Sequence, residues 1–238
     1  MKVVIAGGGT GGHVFPGIAI AKELKKTINN AEITFIGTTE GIELTIVPKE
    51  GFDIRFIRSE GIVGRSIFKT IKSIGKVPLS IKDSRAILKE VKPDVVLGVG
   101  GYCSGPVLFS AHFMGIPTII HEQNTTPGLT NKLLGKLVNM VAVTYLESMD
   151  FFSKDRTYLT GNPIRDEILK GDRDRSYDTF RLNKELFTIF VFGGSLGANK
   201  INKAVTEALV YLEGYKDKIQ FLHQTGEKDF NLVREFYQ

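Results

Sequence analysis

Two histidines, each placed where a glycine loop or a buried strand gives way to polar residues, carry the types from which proton-transfer chemistry could be built. His13 follows Gly7-Gly8-Gly9-Thr10-Gly11-Gly12. A histidine beside a glycine loop lies near any bound anion, and its unperturbed pKa of about 6.5 suits a general base. The same position suits a histidine that packs against or caps a helix start, and the residues alone leave both readings open. His121-Glu122-Gln123-Asn124 follows the apolar run Thr118–Ile120, and Gly98-Val99-Gly100-Gly101-Tyr102 follows Val95–Leu97. Ligands in parallel α/β folds sit off the carboxyl ends of strands, so both runs are candidate site loops, with ordinary polar loops as the alternative. Of the other histidines, His112 lies in an apolar helical run and reads as core, and His223 closes a strand with its role open. Asp172-Arg173-Asp174 has the form of an Asp-x-Asp metal motif but sits among basic neighbours and reads as a solvated charge run. No His, Cys or carboxylate cluster has metal-ligand spacing, so neither a metal nor a cofactor is expected.

These residues need strands and helices to hold them, and the chain offers both in alternation. Short Val- and Ile-rich runs at Val3–Ala6, Ile33–Ile36, Val95–Leu97, Thr118–Ile120, Met140–Val143, Thr188–Phe192 and Ile219–Leu222 read as strands. Helical patterns lie between them at Pro16–Thr27, Ser80–Glu90, Thr130–Leu137, Lys200–Leu212 and Lys228–Tyr237. Such alternation predicts a parallel α/β sheet. Val3-Val4-Ile5-Ala6 before the first glycine loop is echoed by Ile189-Phe190-Val191-Phe192 before Gly193-Gly194-Ser195-Leu196-Gly197. Each looks like the opening of a Rossmann-like unit. The charge-dense stretch Lys170–Lys184 reads as the connection between them.

Gly7-x-Gly9-x-x-Gly12 formally matches the dinucleotide fingerprint. An NAD site also wants an acid at the end of the second strand. That strand ends Phe35-Ile36-Gly37-Thr38-Thr39 with Glu40 beyond it, which disfavours NAD. No Gly-Lys-Ser/Thr follows either loop, which excludes a P-loop.

The 238 residues suffice for one large domain or two modest ones, and a 42% hydrophobic content excludes a disordered chain. The lone Cys103 excludes a disulfide framework and fits a reducing compartment. Val95–Ile120 contains no charged residue, but its Gly100-Gly101 and Gly105-Pro106 break it into strand, loop, short helix and strand, so it reads as buried core rather than a membrane span. The net charge of +5 is too mild to imply a nucleic-acid partner. It is unevenly placed: Ile62–Lys82 holds Arg65, Lys69, Lys72, Lys76 and Lys82 with no acid. As a helix over Arg65–Val77 this segment would set Ile67, Ile71 and Ile74 opposite its basic residues. It reads either as a docking face for an anionic membrane or as a surface helix with its isoleucines in the core.

Gly8-Gly9-Thr10-Gly11-Gly12-His13-Val14-Phe15-Pro16-Gly17 resembles the signature loop of the MurG family of cell-wall glycosyltransferases. Further motifs follow in order: Pro93–Tyr102, His121–Asn124, Gly161-Asn162-Pro163-Ile164-Arg165, Gly193–Ala198 and, more loosely, His223-Gln224-Thr225-Gly226. The resemblance implies a GT-B-like α/β fold. It places a Rossmann-like acceptor- and membrane-binding domain at 1–163 and a partial Rossmann-like UDP-sugar domain at 164–238. It also implies inverting transfer of GlcNAc from UDP-GlcNAc to the C4 hydroxyl of MurNAc in undecaprenyl-pyrophosphoryl-MurNAc-pentapeptide, turning lipid I into lipid II in peptidoglycan synthesis. The place of action would be the cytoplasmic face of the bacterial inner membrane, held peripherally.

By position, His13 would be the base, with Glu122 as second choice. Thr10, Gly11 and Gly12 would lie at phosphates, and Asn124 at the donor sugar. Arg165 and Ser195 would bind the UDP diphosphate, and Tyr102 and Gly194 join the substrate-binding set through their motifs. Members of the family continue beyond the position of Gln238 with a Ser-Gly/Glu nucleotide-sugar motif and a distal Gln motif. A truncated copy, or half of a split transferase acting with a partner chain as a non-catalytic docking module, is therefore the alternative expectation.

Overall fold

Near-continuous apolar runs place the first strands at the centre of a sheet covered on both faces. In the computed structural model, which describes residues 1–59, 77–194 and 197–237, β1 (Lys2–Gly7) and β4 (Val95–Gly100) are buried at every position but their first. They are flanked by β2 (Glu32–Gly37), β3 (Asp53–Phe56), β5 (Thr118–Glu122), β6 (Met140–Val143) and β7 (Thr157–Leu159). The seven strands run in the order β3-β2-β1-β4-β5-β6-β7, and every pair is parallel. Between β1 and β4 the strand order reverses, which opens a crevice at their carboxyl ends. The expected parallel α/β fold is what the chain adopts.

Successive residues of a strand point to opposite faces. Val3 and Ile5 accordingly pack with Val14, Ile18 and Phe35 beneath α1 (Gly11–Thr27), whereas Val4 and Ala6 pack with Val96, Leu108 and Ile120 beneath α4 (Ser104–Phe113). Further helices of this part include α2 (Glu43–Lys49), α3 (Val77–Val91) and α5 (Leu129–Leu134), with short 3-10 turns at Leu146–Phe151 and Lys154–Arg156. The charge-free stretch Val95–Ile120 forms β4, α4 and β5, and no helix of the described residues is long and apolar enough to cross a membrane. Helix α1 begins at Gly11 rather than at Pro16: Thr10 takes the extended N-cap conformation, and Pro16 is accommodated inside the helix. His13 thus sits in the first helical turn. Pro78 likewise falls in the first turn of α3, where its missing N–H costs little.

The chain divides into two compact units, Met1–Asp166 and Glu167–Gln238. The second unit pairs β8 (Phe187–Phe192) in parallel with β9 (Ile219–Gln224) and packs α6 (Arg173–Phe180), α7 (Asn199–Leu209) and α8 (Phe230–Phe236) around them. The stretch expected as a connection therefore carries a helix. Tyr177 of α6 is buried, and its hydroxyl lies 3.0 Å from Thr188 Oγ1 on β8. Asp172 is the N-cap of α6 and accepts a hydrogen bond from the Arg175 amide at 2.8 Å. That accounts for one carboxylate of the Asp-x-Asp run, and no metal-holding cluster occurs among the described residues. Of the basic segment, Arg65, Lys69, Lys72 and Lys76 lie outside the described residues, and Lys82 is exposed on α3.

Candidate active site

The carboxyl ends of β1, β4 and β5 converge on a cleft of about 570 Å³, and His13, Gly100, Gly101, Tyr102, Glu122 and Asn124 are among the residues that line it. Three of the sequence candidates at separate chain positions, His13, Tyr102 and the Glu122–Asn124 pair, are thus brought together. Two glycine loops meet back to back to form its floor. Gly101 has φ +85, and a Cβ there would sit 2.3 Å from the Gly8 carbonyl oxygen. Ser104 Oγ, fully buried, lies 2.8 Å from both the Ala6 and the Gly100 carbonyl oxygens and, sharing its one proton between them, ties the ends of β1 and β4 together. Ser59 Oγ donates to the Tyr102 carbonyl at 3.0 Å.

His13 is held from two sides. Thr10 Oγ1 lies 3.3 Å from its Nδ1, and the Gly8 backbone bonds the ring. Burial lowers its pKa from the ordinary 6.5, opposed by the Gly8 bond and by the charges of Glu122 and Glu43. The imidazole is consequently neutral at neutral pH and able to accept a proton. The first-turn amides of Gly11 and Gly12 have no intrahelical acceptor and point outward from the positive end of α1.

Glu122 is 1% exposed, and both carboxylate oxygens are engaged. Oε1 accepts from the Asn124 amide at 2.9 Å and from Asn124 Nδ2 at 2.8 Å, while Oε2 accepts from Asn131 Nδ2 at 2.9 Å and the Gly128 amide at 3.2 Å. Its geometry is that of a group that shapes the loop presenting Asn124. His121, also buried, bonds the Gly161 carbonyl through Nε2 at 3.1 Å and receives Gln123 Nε2 at its Nδ1 at 3.1 Å. Burial lowers its pKa too.

Arg165 lies elsewhere in the first unit. Its guanidinium stacks 4.2 Å from the ring centre of Phe15 on α1, beside a second hollow of about 430 Å³ lined by Ala19, Lys22, Lys26 and Pro163–Asp166. Gly194 belongs to the second unit, with φ +89 and open space where a Cβ would point; Ser195 is outside the described residues. In that unit the loop after β8 packs on the loop after β9, since a Cβ on Gly197 would lie 1.8 Å from the Thr225 carbonyl oxygen. Asn202 on α7 organises this pair: it donates to the Thr225 carbonyl and to Asp229 Oδ2 at 2.8 Å each and bonds His223 Nε2 at 3.1 Å. His223, left open by the sequence, is a member of this network. His112 is half-buried rather than core and meets Phe113 edge-on.

Residues 3–143 match the model for the glycosyltransferase family 28 N-terminal domain, and residues 188–238 match that for its C-terminal domain. The chain belongs to glycosyltransferase family 28. The motif resemblance to its MurG branch is borne out by relatives named UDP-N-acetylglucosamine--N-acetylmuramyl-(pentapeptide) pyrophosphoryl-undecaprenol N-acetylglucosamine transferase. The protein of that name from Thermodesulfovibrio yellowstonii is 50% identical over all 238 residues, which span 65% of its length. The one from Myxococcus xanthus is 46% identical, with 61% of its length spanned. Among solved structures, Acinetobacter baumannii MurG superposes with a TM-score of 0.69 at 27% identity, covering 99% of this chain and 62% of that one. A UDP-GlcNAc 2-epimerase from Neisseria meningitidis bound to UDP-GlcNAc gives 0.71 at 15% identity, with 99% and 69% covered, a likeness of fold. The chain thus spans a little under two thirds of the length of these family 28 relatives.

Sequence reasoning missed one central residue of this family 28 site. Glu43, on α2 and 0% exposed, accepts from the Gly9 amide at 2.8 Å and from Thr38 N and Thr38 Oγ1 at 3.0 Å each. A dinucleotide-type acid belongs at the strand end, where this sequence offers only Glu40. Glu43 lies deeper, beneath the loop. With the Gly9 amide taken by this carboxylate, the loop lacks a donor that a dinucleotide phosphate would use, which is a physical reason for the weak NAD signal.

Proposed function

We propose that this chain carries the acceptor-side chemistry of an inverting GlcNAc transferase of peptidoglycan synthesis. The sugar passes from UDP-GlcNAc to the C4 hydroxyl of MurNAc in undecaprenyl-pyrophosphoryl-MurNAc-pentapeptide. The observation that carries the reading is the placement of a half-buried His13, its pKa lowered by burial, in the cleft shared with Tyr102, Glu122 and Asn124, in a family 28 chain.

His13 accepts the C4 proton as the C4 oxygen attacks the anomeric carbon, and the bond from that carbon to the UDP oxygen breaks on the opposite face. Glu122, its oxygens engaged by four N–H donors, holds Asn124 toward the donor sugar and leaves the base role to His13. Thr10 orients the imidazole, and the outward amides of Gly11 and Gly12 stabilise nearby phosphate charge. Gly194 and Ser195 of the second unit are the candidates for the departing diphosphate. This assigns the acceptor, and the sugar contact of Asn124, to the first unit and the nucleotide to the second.

Leu79, Phe109, Phe113, Leu129 and Leu133 are exposed apolar residues of α3, α4 and α5, and Lys82, Arg85 and Lys89 form an exposed basic row on α3. That combination supports docking on an anionic bilayer, at the cytoplasmic face of the inner membrane where the lipid-linked acceptor would be met. Calorimetric titration with UDP-GlcNAc tests the donor half: saturable binding is expected, and its absence would mark the chain as a docking module without donor recognition.

A further inference from the structure

The carboxylate of Glu43 sits in a cradle formed by missing side chains. A Cβ would lie 2.2 Å from its Oε1 if Gly8 carried one, 2.6 Å from its Cγ at Gly37, and 1.9 Å from its Oε2 at Gly41. All three of its described hydrogen-bond partners are donors, as suits an anion, and no lysine or arginine pairs with it among the described residues. A buried charge without a cation is costly, and its hydrogen bonds must offset that cost. An apolar residue of similar volume would fill the space without burying a charge, so the charge calls for another explanation.

The explanation lies along the chain. Glu43 fixes Gly9, whose φ of +89 turns the backbone into Thr10. Thr10 is the N-cap of α1: its carbonyl accepts from the amides of His13 and Val14 at 3.1 Å each, and its hydroxyl meets the His13 ring. We propose that Glu43 is a positioning residue, an internal anion that occupies the first glycine loop from below and, through Gly9 and Thr10, fixes the orientation of His13. The inference rests on His13 as the proton acceptor, but its test does not require turnover. The charged groups acting on the ring are Glu122 from β5 and Glu43 from α2, and Tyr102 faces the same cleft. Removing the Glu43 charge while Glu122 remains leaves burial less opposed.

Nuclear magnetic resonance on the whole chain tests this, with the His13 signal assigned by its loss in His13→Gln. In the wild type the Gly9 amide should be protected from exchange, and Thr10 and His13 side-chain protons should show mutual Overhauser effects. Glu43→Gln removes the charge and sets an NH₂ against donors; it should lower the His13 titration midpoint and weaken the Thr10–His13 contact. Glu43→Asp keeps the charge but shortens the reach, and should expose the Gly9 amide. Variants that melt cooperatively with the wild-type His13 midpoint and Thr10–His13 contact would overturn the proposal, as would a lowered melting temperature with both unchanged. Should the variants not fold, a wild-type Gly9 amide exchanging as fast as an open loop would overturn it equally. Loss of transferase activity with His13 unmoved would count against Glu43 and leave the base assignment standing.

Discussion

The imidazole of His13 lies directly over the backbone of Gly100: a Cβ on Gly100 would stand 2.5 Å from its Cδ2 and 2.8 Å from its Nε2. Gly100 also has φ +98, a conformation that L side chains rarely adopt. The end of β4 therefore serves as a plate against which the first turn of α1 presses its histidine. Only movement of the His13 ring itself, together with strain at a positive φ, could make room for a side chain there.

Gly100→Ala should displace His13 and strain β4. Overpacking of this kind costs about 1–3 kcal/mol, read as a lower melting temperature. Where the chain still folds, the His13 titration should move toward the ordinary imidazole value as the ring gains water. A native-like melt with an unaltered His13 signal would contradict the geometry.

Acid should weaken the first unit. His13 and His121 both have pKa values lowered by burial, so the unfolded chain binds more protons than the folded one below pH 6.5. Their contribution is fully present above that value and declines as pH falls through 6.5 toward the folded-state pKa values. Urea midpoints measured between pH 8 and 5 should fall on the acid side, and His121→Gln should flatten part of that fall.

Glu122→Gln places an amide NH₂ where an N–H donor now points, and should cost about 1–3 kcal/mol for the unsatisfied buried groups. If Glu122 shapes the Asn124 loop rather than accepting the proton, the residual transfer rate keeps the pH profile of the wild type. A profile that loses its acid limb would return the base role to Glu122.

Cys103 is fully buried, and burial pushes its thiol up to about pKa 12. Maleimide should leave the native chain unlabelled at neutral pH and label it once denaturant unfolds it. Rapid native labelling would contradict the packing of α4 against β1 and β4.

Reversing Lys82, Arg85 and Lys89 to Glu should weaken flotation with anionic vesicles by about fivefold or more per site at low salt, from roughly 1 kcal/mol for each basic residue. Binding that ignores both salt and the reversals would oppose the membrane reading.

The strands at the heart of the first unit were legible because burial on both faces forces runs such as Val3-Val4-Ile5-Ala6. The edge strands were not: Asp53–Phe56 and Thr157–Leu159 are largely open to solvent, so no apolar run marks them. The loops carrying His13, Tyr102 and Asn124 could be read from their residue types at strand ends. Glu43 could not, because two of its three donors are the backbone amides of Gly9 and Thr38, which leave no trace in side-chain pattern, and the third is a single threonine hydroxyl. The helix Arg173–Phe180 hid in a charged run for a related reason, since Tyr177 alone anchors it in the unit's interior.

The central claim is that His13 accepts the acceptor proton in GlcNAc transfer, and the most direct measurement is the initial rate of labelled GlcNAc transfer from UDP-GlcNAc to a lipid I analogue by wild type and His13→Ala. The account predicts transfer by the wild type and a loss of about 10²–10⁴-fold in the variant with its fold intact; an undiminished rate in His13→Ala, or no transfer by the wild type, would contradict it.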